Sequence, residues 1–201
     1  MTPFRLLLAA SLALGAASPA FAAARPRILP DHDVAVTYRV TVPDRTGGTY
    51  RVRFQAATRR AHVTGLSGEG QGFAFLLDIP GGTGDVIMPQ THTIVPLPDL
   101  GDIIHRVLAA RGARFTRLGS AVIAGKACTR YLILSPKGDG TACLTRGGVP
   151  LAADAHDSRG SVHAEALSVS DSPQPPEYFS PPPGYTALNL PPSMLRQLLG
   201  G

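Results

Sequence analysis

The sequence predicts a mainly β protein of the α+β class, in which a strongly curved antiparallel sheet or open barrel carries one principal amphipathic helix on its concave face. Three observations predict this fold. Short runs with an apolar residue at every second position recur along the chain, and glycine or proline separates them. A single stretch repeats apolar residues at helical spacing instead. The 201 residues are 44% apolar and 16% charged, which is sufficient for one packed core.

The first segment, residues 1–22, has the three parts of a secretory signal peptide. It carries an early positive charge at Arg5, an apolar stretch over 6–17, and small residues at Ala20 and Ala22. We therefore expect cleavage after Ala22, with an uncleaved N-terminal anchor as the alternative. No later apolar run reaches the length of about 18 residues that spans a bilayer. The mature protein is therefore expected to be periplasmic or extracellular and not membrane-spanning.

The sheet domain is expected over 23–171. Its first predicted strand, 34–42, alternates apolar and polar residues, and a turn over 43–48 leads to a second alternating strand over 50–55. Two such runs joined by a turn predict an antiparallel hairpin with one polar face. Further short strands are predicted over 61–65, 73–79, 85–88, 91–95, 114–118, 121–124, 127–134, 141–145, 151–156 and 161–169.

Residues 99–111 form the predicted principal helix. Asp99 is placed to cap its N-terminus, and Gly112 occupies the stop position. Five apolar residues at i, i+3 and i+4 spacing form one stripe, which must be buried against the concave face of the sheet. This stripe, a candidate lid, consists of Leu100, Ile103, Ile104, Val107 and Leu108.

From Ser172 the composition changes, and residues 172–201 are predicted to form a Pro-rich C-terminal tail. Prolines at this density favour an extended chain. We expect the aromatic residues Tyr178, Phe179 and Tyr185 to hold the tail against the body of the protein. A short helix over 193–199 is predicted to end it.

Cys128 and Cys143 are the two cysteines of the chain, and export to an oxidising compartment favours a disulfide between them. A loop of about 15 residues closed in this way stabilises a fold by roughly 3 kcal/mol on the entropy model. The spacing differs from that of a C-x-x-C redox motif. A hairpin that turns at Gly138 does not place the two residues directly opposite, so the pairing implies a bulge or an off-centre loop.

No stretch of the sequence carries a catalytic or metal-binding motif. The run over 65–70 has Glu69 where a nucleophile elbow needs glycine, so it is interpreted as a Gly-rich turn. The polar groups at 31–33 and 154–157 are interpreted as solvated stretches rather than metal sites. We therefore expect no enzyme, no metal site and no cofactor.

The densest basic patch is a candidate site for an anionic partner, with a solvated sheet face as the alternative. It consists of Arg51, Arg53, Arg59 and Arg60. Nearly all other charges of the chain, whose net charge is +5, are scattered singly. The aromatic content of 6%, together with export, argues against nucleic acid as a partner.

Three stretches resemble periplasmic proteins with the lipoprotein-carrier (LolA/LolB-like) half-barrel fold. Residues 115–131 (FTRLGSAVIAGKACTRY) resemble the strand pair lG-x-x-x-i-x-G-x-x-C/t-x-x-y, and 141–151 (TACLTRGGVPL) resemble the x-C-x-t-x-d-G-x-p-l that follows it. Residues 179–185 (FSPPPGY) resemble the terminal F-x-x-P-x-G-Y. By this resemblance the chain is identified as a member of that superfamily. The resemblance implies an open half-barrel whose apolar cavity, covered by helices, binds acyl chains or other lipidic ligands.

These observations predict a non-enzymatic binding or carrier module for a lipid or another hydrophobic ligand, with the predicted helix as a lid that moves aside. The candidate cavity residues lie on predicted apolar strand faces, and an ordinary filled core is the alternative for each of them. They are Val36, Tyr38, Val40, Val52, Phe54, Phe73, Phe75 and Leu77. The alternative function is an envelope protein–protein interaction or assembly factor, which binds through an exposed strand edge or the Pro-rich tail.

Overall fold

The computed structural model describes residues 25–43, 45–97, 113–136, 138–157, 160–191 and 194. These residues form twelve β-strands and two short 3₁₀ helices, Pro89–Thr91 and Pro176–Phe179. The strands are β1 (Val34–Thr41), β2 (Gly48–Gln55), β3 (Arg60–Gly68), β4 (Ala74–Asp78), β5 (Thr83–Met88), β6 (Thr93–Leu97), β7 (Arg114–Ile123), β8 (Lys126–Ser135), β9 (Gly138–Leu144), β10 (Pro150–Asp157), β11 (Gly160–Ser170) and β12 (Thr186–Ala187). The predicted signal peptide over 1–22, the predicted helix over 99–111 with its candidate lid, and the predicted helix over 193–199 except Met194 lie outside the described residues.

The twelve described strands form a single open, curved sheet in the order β12-β6-β5-β4-β3-β2-β1-β11-β10-β9-β8-β7. Strands β1–β6 and β7–β11 are two antiparallel meanders, and β1 pairs with β11 where the meanders meet. The short strand β12 pairs with β6 in parallel. The prediction of a mainly β protein built on an open curved sheet is therefore confirmed.

Alternation gives the sheet two chemically different faces. On one face a row of apolar residues crosses six strands. Each residue of the row is paired in register with an apolar residue on the adjacent strand. The row is Val36, Val52, Val63, Phe75, Val86 and Val95. We call this side of the sheet the Val36 face. The opposite side carries Arg53 and His62 opposite each other, and we call it the Arg53 face.

The main core lies where β1 begins. Val34 and Phe54 are 2% and 4% exposed, and they cluster with the fully buried Leu151 of the second meander. Full burial of an apolar side chain of this size contributes about 1.5–3 kcal/mol. The N-terminal stretch closes this end of the sheet, since the Asp31 amide donates to the Gly147 carbonyl at 2.9 Å.

The two strands predicted over 114–118 and 121–124 are one strand, β7, and the predicted break between them is wrong. Gly119 belongs to a β-bulge, because the register with β8 shifts between Arg117 and Gly119. Its φ of +144° is a conformation that favours glycine. The turn lies instead at Ala124 and Gly125, between β7 and β8.

Cys128 of β8 and Cys143 of β9 form the predicted disulfide, with their Cα atoms 5.4 Å apart. The two residues are diagonal, because Cys143 is opposite Arg130 in the ladder. The β8–β9 register is regular from Thr129 to Ser135, so the expected bulge or off-centre loop is wrong. Diagonal side chains on one face of an antiparallel pair come close enough for this bridge.

The Pro-rich tail lies along the Arg53 face. Phe179 is 4% exposed, and Tyr185 packs against a second apolar cluster on β4–β6. Beyond Tyr185 the tail becomes β12, and directly after this strand the Leu188 amide donates to the Ile94 carbonyl at 2.7 Å. The tail therefore covers both part of the Arg53 face and part of the β6 edge.

Candidate functional site

The Val36 face brings together the candidate cavity residues of β1, β2 and β4. Phe73 precedes β4 and is 39% exposed. Val36 and Phe54 are buried in the core, whereas Val40 and Val52 are half-buried. The seven residues that share this face in register are Val36, Tyr38, Val40, Val52, Phe54, Phe75 and Leu77. Filled core and accessible surface thus occur side by side on the same face.

The Val36 face continues across β11, β10, β9 and β8, where most of its residues are small. One row is Val40, Ala164, Ala153, Ala142 and Tyr131, and the next is Val162, Ala155, Gly140, Ile133 and Phe115. Alanine and glycine fill less volume than valine or phenylalanine, so this half of the face leaves more room above the sheet. Sequence reasoning missed this half, and alternating alanines in β10 and β11 are the signal that could have found it.

Tyr38 is the polar group among the candidate cavity residues. Its hydroxyl donates to the Pro150 carbonyl at 2.6 Å. Burial raises the pKa of Tyr38, so its ring stays neutral. The candidate residues therefore offer apolar contact without charge.

A pocket of about 330 Å³ lies between the ends of β3–β6 and the tail. Leu77 and Phe179 contribute to its wall, together with the ion pair of Arg60 with Asp78, whose atoms lie 3.2 Å apart. Burial raises the pKa of Asp85, which also lines the pocket. The volume is at the lower end for small-ligand sites. Its mixed polar lining distinguishes this pocket from the Val36 face.

The four arginines of the candidate anionic-partner patch have different surroundings. The Arg53 guanidinium lies 4.0 Å from the ring centroid of Tyr178 in the tail. Arg60 is paired with a carboxylate, as described above, whereas Arg51 and Arg59 are exposed. Arg59 stands in the turn before β3 with φ +53°. Arg51 Nε also donates to the Thr37 hydroxyl at 3.5 Å, so internal contacts engage three of the four side chains. Sequence reasoning missed the role of the tail in this.

The polar stretch at 31–33 is part of the folded structure, and its interpretation as a solvated stretch is wrong for Asp33. Asp33 accepts hydrogen bonds from the amides of Ala56 at 2.9 Å and Gln174 at 3.0 Å. His32 Nδ1 lies 2.7 Å from a carboxylate oxygen of Asp31. Asp33 therefore joins the N-terminal stretch to the β2–β3 turn and to the tail.

A second polar cluster lies on the Arg53 face of β9–β11. The Thr141 hydroxyl donates to Asp154 at 2.9 Å, and His163 Nδ1 lies 2.6 Å from the same carboxylate. A nucleophile is activated when its hydroxyl donates to the histidine. Here the hydroxyl donates to the carboxylate instead, so the arrangement does not activate Thr141. Over the part of the chain that the structure describes, no group of three or more His, Cys, Asp or Glu residues is placed to hold a metal ion.

His62 and His163 should titrate on opposite sides of the usual histidine range. Burial, with Arg53 nearby, lowers the pKa of His62, whose buried Nδ1 has no hydrogen-bond partner among the described residues. The hydrogen bond with Asp154 raises the pKa of His163. Because the pKa of His62 is lower in the folded state than in the unfolded state, the folded state is favoured by neutral His62. This stabilisation is fully present above the pKa of the unfolded state, and it is lost as the pH falls through the pKa of the folded state. We expect NMR titration of the ring protons to give a lower midpoint for His62 than for His163.

The matched control for this titration is Asp154→Asn. It should move the midpoint of His163 downward and leave that of His62 unchanged, because Asp154 contacts His163 alone of the two. Equal midpoints for the two histidines, or the reverse order, would contradict the described geometry.

No helix within the described ranges is long and apolar enough to cross a membrane. No protein-family model and no curated protein matches the chain. Solved structures do match. An uncharacterized conserved protein from Thermus thermophilus superposes with a TM-score of 0.57 at 11% identity, over 80% of this chain and 91% of that protein.

MucB superposes with a TM-score of 0.54 at 13% identity, over 79% of this chain and 60% of MucB. The structure of the Pseudomonas aeruginosa MucA/MucB complex superposes with a TM-score of 0.53 at 12% identity, over 80% of this chain and 62% of the matched chain. At these identities the likeness shows a shared fold. The open curved sheet is therefore a fold that this chain shares with the Thermus thermophilus protein and with MucB.

Proposed function

We propose that this protein is an exported, periplasmic and non-enzymatic binding or carrier module for a lipid or another hydrophobic ligand. The observation that carries the proposal is the Val36 face, whose apolar rows run in register from β6 to β8. Its half-buried residues and its stretch of small side chains supply apolar contact area that the core does not use entirely.

An acyl chain would bind to such a face by leaving water. Each buried methylene contributes about 0.8 kcal/mol, and this contribution requires neither a charged side chain nor a catalytic group. The stripe of residues 100–108 is proposed as the lid, since it would shield the ligand from water while bound. The signal peptide over 1–22 would deliver the protein to the envelope, where such ligands occur.

The function is tested by native mass spectrometry of the protein purified from the periplasm, followed by solvent extraction. We expect the mature chain to carry lipid in stoichiometric amount. Replacement of Val40 by glutamine should weaken the affinity for lipid about fivefold or more and so lower the occupied fraction, because burying an unpaired amide costs about 1–3 kcal/mol. Val40 is half-buried on the Val36 face.

The matched control is Thr41→Gln. Thr41 is the next residue of β1, is exposed and alternates onto the Arg53 face, so its replacement should leave the occupied fraction unchanged. A parent protein without extractable lipid would overturn the proposal. Equal losses for the two variants would show that the Val36 face is not the contact surface.

A second candidate function is an envelope interaction or assembly factor that binds another protein. It is supported by the MucA/MucB complex, in which a protein of the same fold is assembled with a protein partner. The exposed side chains of Arg51 and Arg59 would then serve an anionic partner. Co-purification at stoichiometric ratio, without lipid, is the result that favours this function over the first.

A further inference from the structure

The two edges of the described sheet differ in how far their backbone groups are paired. At one end, β12 of the tail pairs with β6 and covers part of its edge. At the other end, β7 pairs with β8 alone within the described part of the chain. β7 is ten residues long, so one side of its backbone presents unpaired amides and carbonyls over an unusual length for an edge.

The β7 edge is strongly basic. The hairpin over 114–135 contains four basic residues and no acidic one: Arg114, Arg117, Lys126 and Arg130. Lys126 is paired with Asp171. The three arginines have no carboxylate partner among the described residues. Within the described part of the chain, no carboxylate neutralises their charge.

Two large apolar side chains stand among these arginines. Leu118 is 54% exposed and Val122 is 71% exposed. Leu118 is the extra residue of the bulge, and a bulge of this kind limits indiscriminate pairing at an edge. The disulfide ties β8 to β9, so the strand that supports this edge is held in place. The edge thus carries both arginines and exposed apolar side chains, and the strand beside it is tied covalently to β9.

We propose that the β7 edge is a docking site for an extended acidic segment of a partner protein, which adds to the sheet as a further strand. Backbone groups of β7 would supply the hydrogen bonds of the added strand. Arg114 and Arg117 would select carboxylates, and Leu118 and Val122 would select apolar residues next to them along the added strand. The inference rests on the second candidate function and does not depend on whether the Val36 face holds lipid.

The test uses a displayed library of random ten-residue peptides selected against the mature full-length protein. The selected peptides should be enriched in Asp and Glu, and their binding should weaken as salt is raised. Hydrogen exchange should slow at the amides of 114–123 when a selected peptide is bound. The double variant Arg114→Glu with Arg117→Glu should weaken binding about tenfold or more, because it replaces attraction with repulsion.

The matched control is Arg39→Glu with Arg45→Glu. It makes the same change in net charge at two exposed arginines, one in β1 and one in the turn between β1 and β2, and neither belongs to the candidate anionic-partner patch. It should leave peptide binding within about twofold of the parent, apart from a small long-range effect that salt screens. All four arginines are exposed, so both double variants should fold.

Three results would overturn the proposal. They are a library that yields no binder, selected peptides without acidic enrichment, and exchange protection away from 114–123. Loss of binding in the Arg39 and Arg45 control alone would place the partner at the β1–β2 hairpin, in which case the second candidate function survives without this site. Lipid measured by native mass spectrometry is unaffected by any of these outcomes, so failure here is separable from failure of the carrier proposal.

Discussion

Replacing both Cys128 and Cys143 with alanine is expected to lower the free energy of unfolding by about 2–5 kcal/mol. The bridge closes a loop with a sequence separation of 15 and joins β8 to β9. Its two residues are 5% and 3% exposed and belong to the main core, so their loss also removes packing. Small domains are stable by about 5–15 kcal/mol, and a loss of this size is a large fraction of that margin.

Equilibrium denaturation in urea of the oxidised parent, the reduced parent and the double alanine variant measures this effect. The reduced parent separates the loss of the cross-link from the loss of the two side chains. Alkylation before and after reduction tests the bridge itself in exported protein. Two freely alkylated thiols in folded, non-reduced protein would contradict the disulfide, and a loss below about 0.5 kcal/mol would contradict its predicted contribution.

The hairpin of β1 and β2 could be predicted because its pairing is local. Val34 and Phe54 are opposite each other. This register follows from the position of the turn between the two strands and from the need to place the apolar residues of both on one face. The pairing of β1 with β11 could not be predicted in this way. It joins Ala35 to Ser170 across most of the chain, and no short-range pattern records which distant strand becomes a neighbour.

The bulge in β7 shows where local composition is ambiguous. A glycine followed by serine occurs in turns, and Gly119 does adopt a left-handed φ. The neighbouring strand continues on both sides, however, so the extra residue is accommodated within the ladder. The same ambiguity affected the disulfide: the pairing partner follows from the cysteine count, but its diagonal placement depends on the register of β8 with β9.

The alternating sequence pattern predicts which face the candidate cavity residues occupy, but their burial depends on tertiary structure. Seven of the eight lie on one face because their strands alternate strictly. Alternation does not distinguish Val36, which is buried in the core, from Val40, which is half-buried. That difference depends on which elements pack over each position. The extent of the face across β8–β11 was missed because alanine gives a weak periodic signal.

The contacts of the tail with the sheet also depend on tertiary structure. Proline composition predicts an extended chain and aromatic residues predict anchoring, but neither specifies the face that is covered. In the structure Tyr178 stacks on His62, with ring centroids 5.7 Å apart, and lies beneath Arg53. Gln174 is buried beside Asp33 of the N-terminal stretch. The tail is therefore attached at several points, and its anchoring can be tested residue by residue.

Replacing Phe179 with alanine is expected to lower the free energy of unfolding by about 3–5 kcal/mol, the usual cost of truncating a buried phenylalanine. Phe179 is 4% exposed and borders the pocket at the ends of β3–β6, whereas the adjacent Tyr178 is 37% exposed. Tyr178→Ala is the matched control and should cost only about 0.5–1 kcal/mol, because it removes an exposed cation–π contact. Denaturation measures both losses, and limited proteolysis should cleave the tail sooner in the Phe179 variant alone. Equal losses for the two variants would mean that the tail is not anchored through Phe179, and the Arg53 face would then be open to a partner where the tail now covers it.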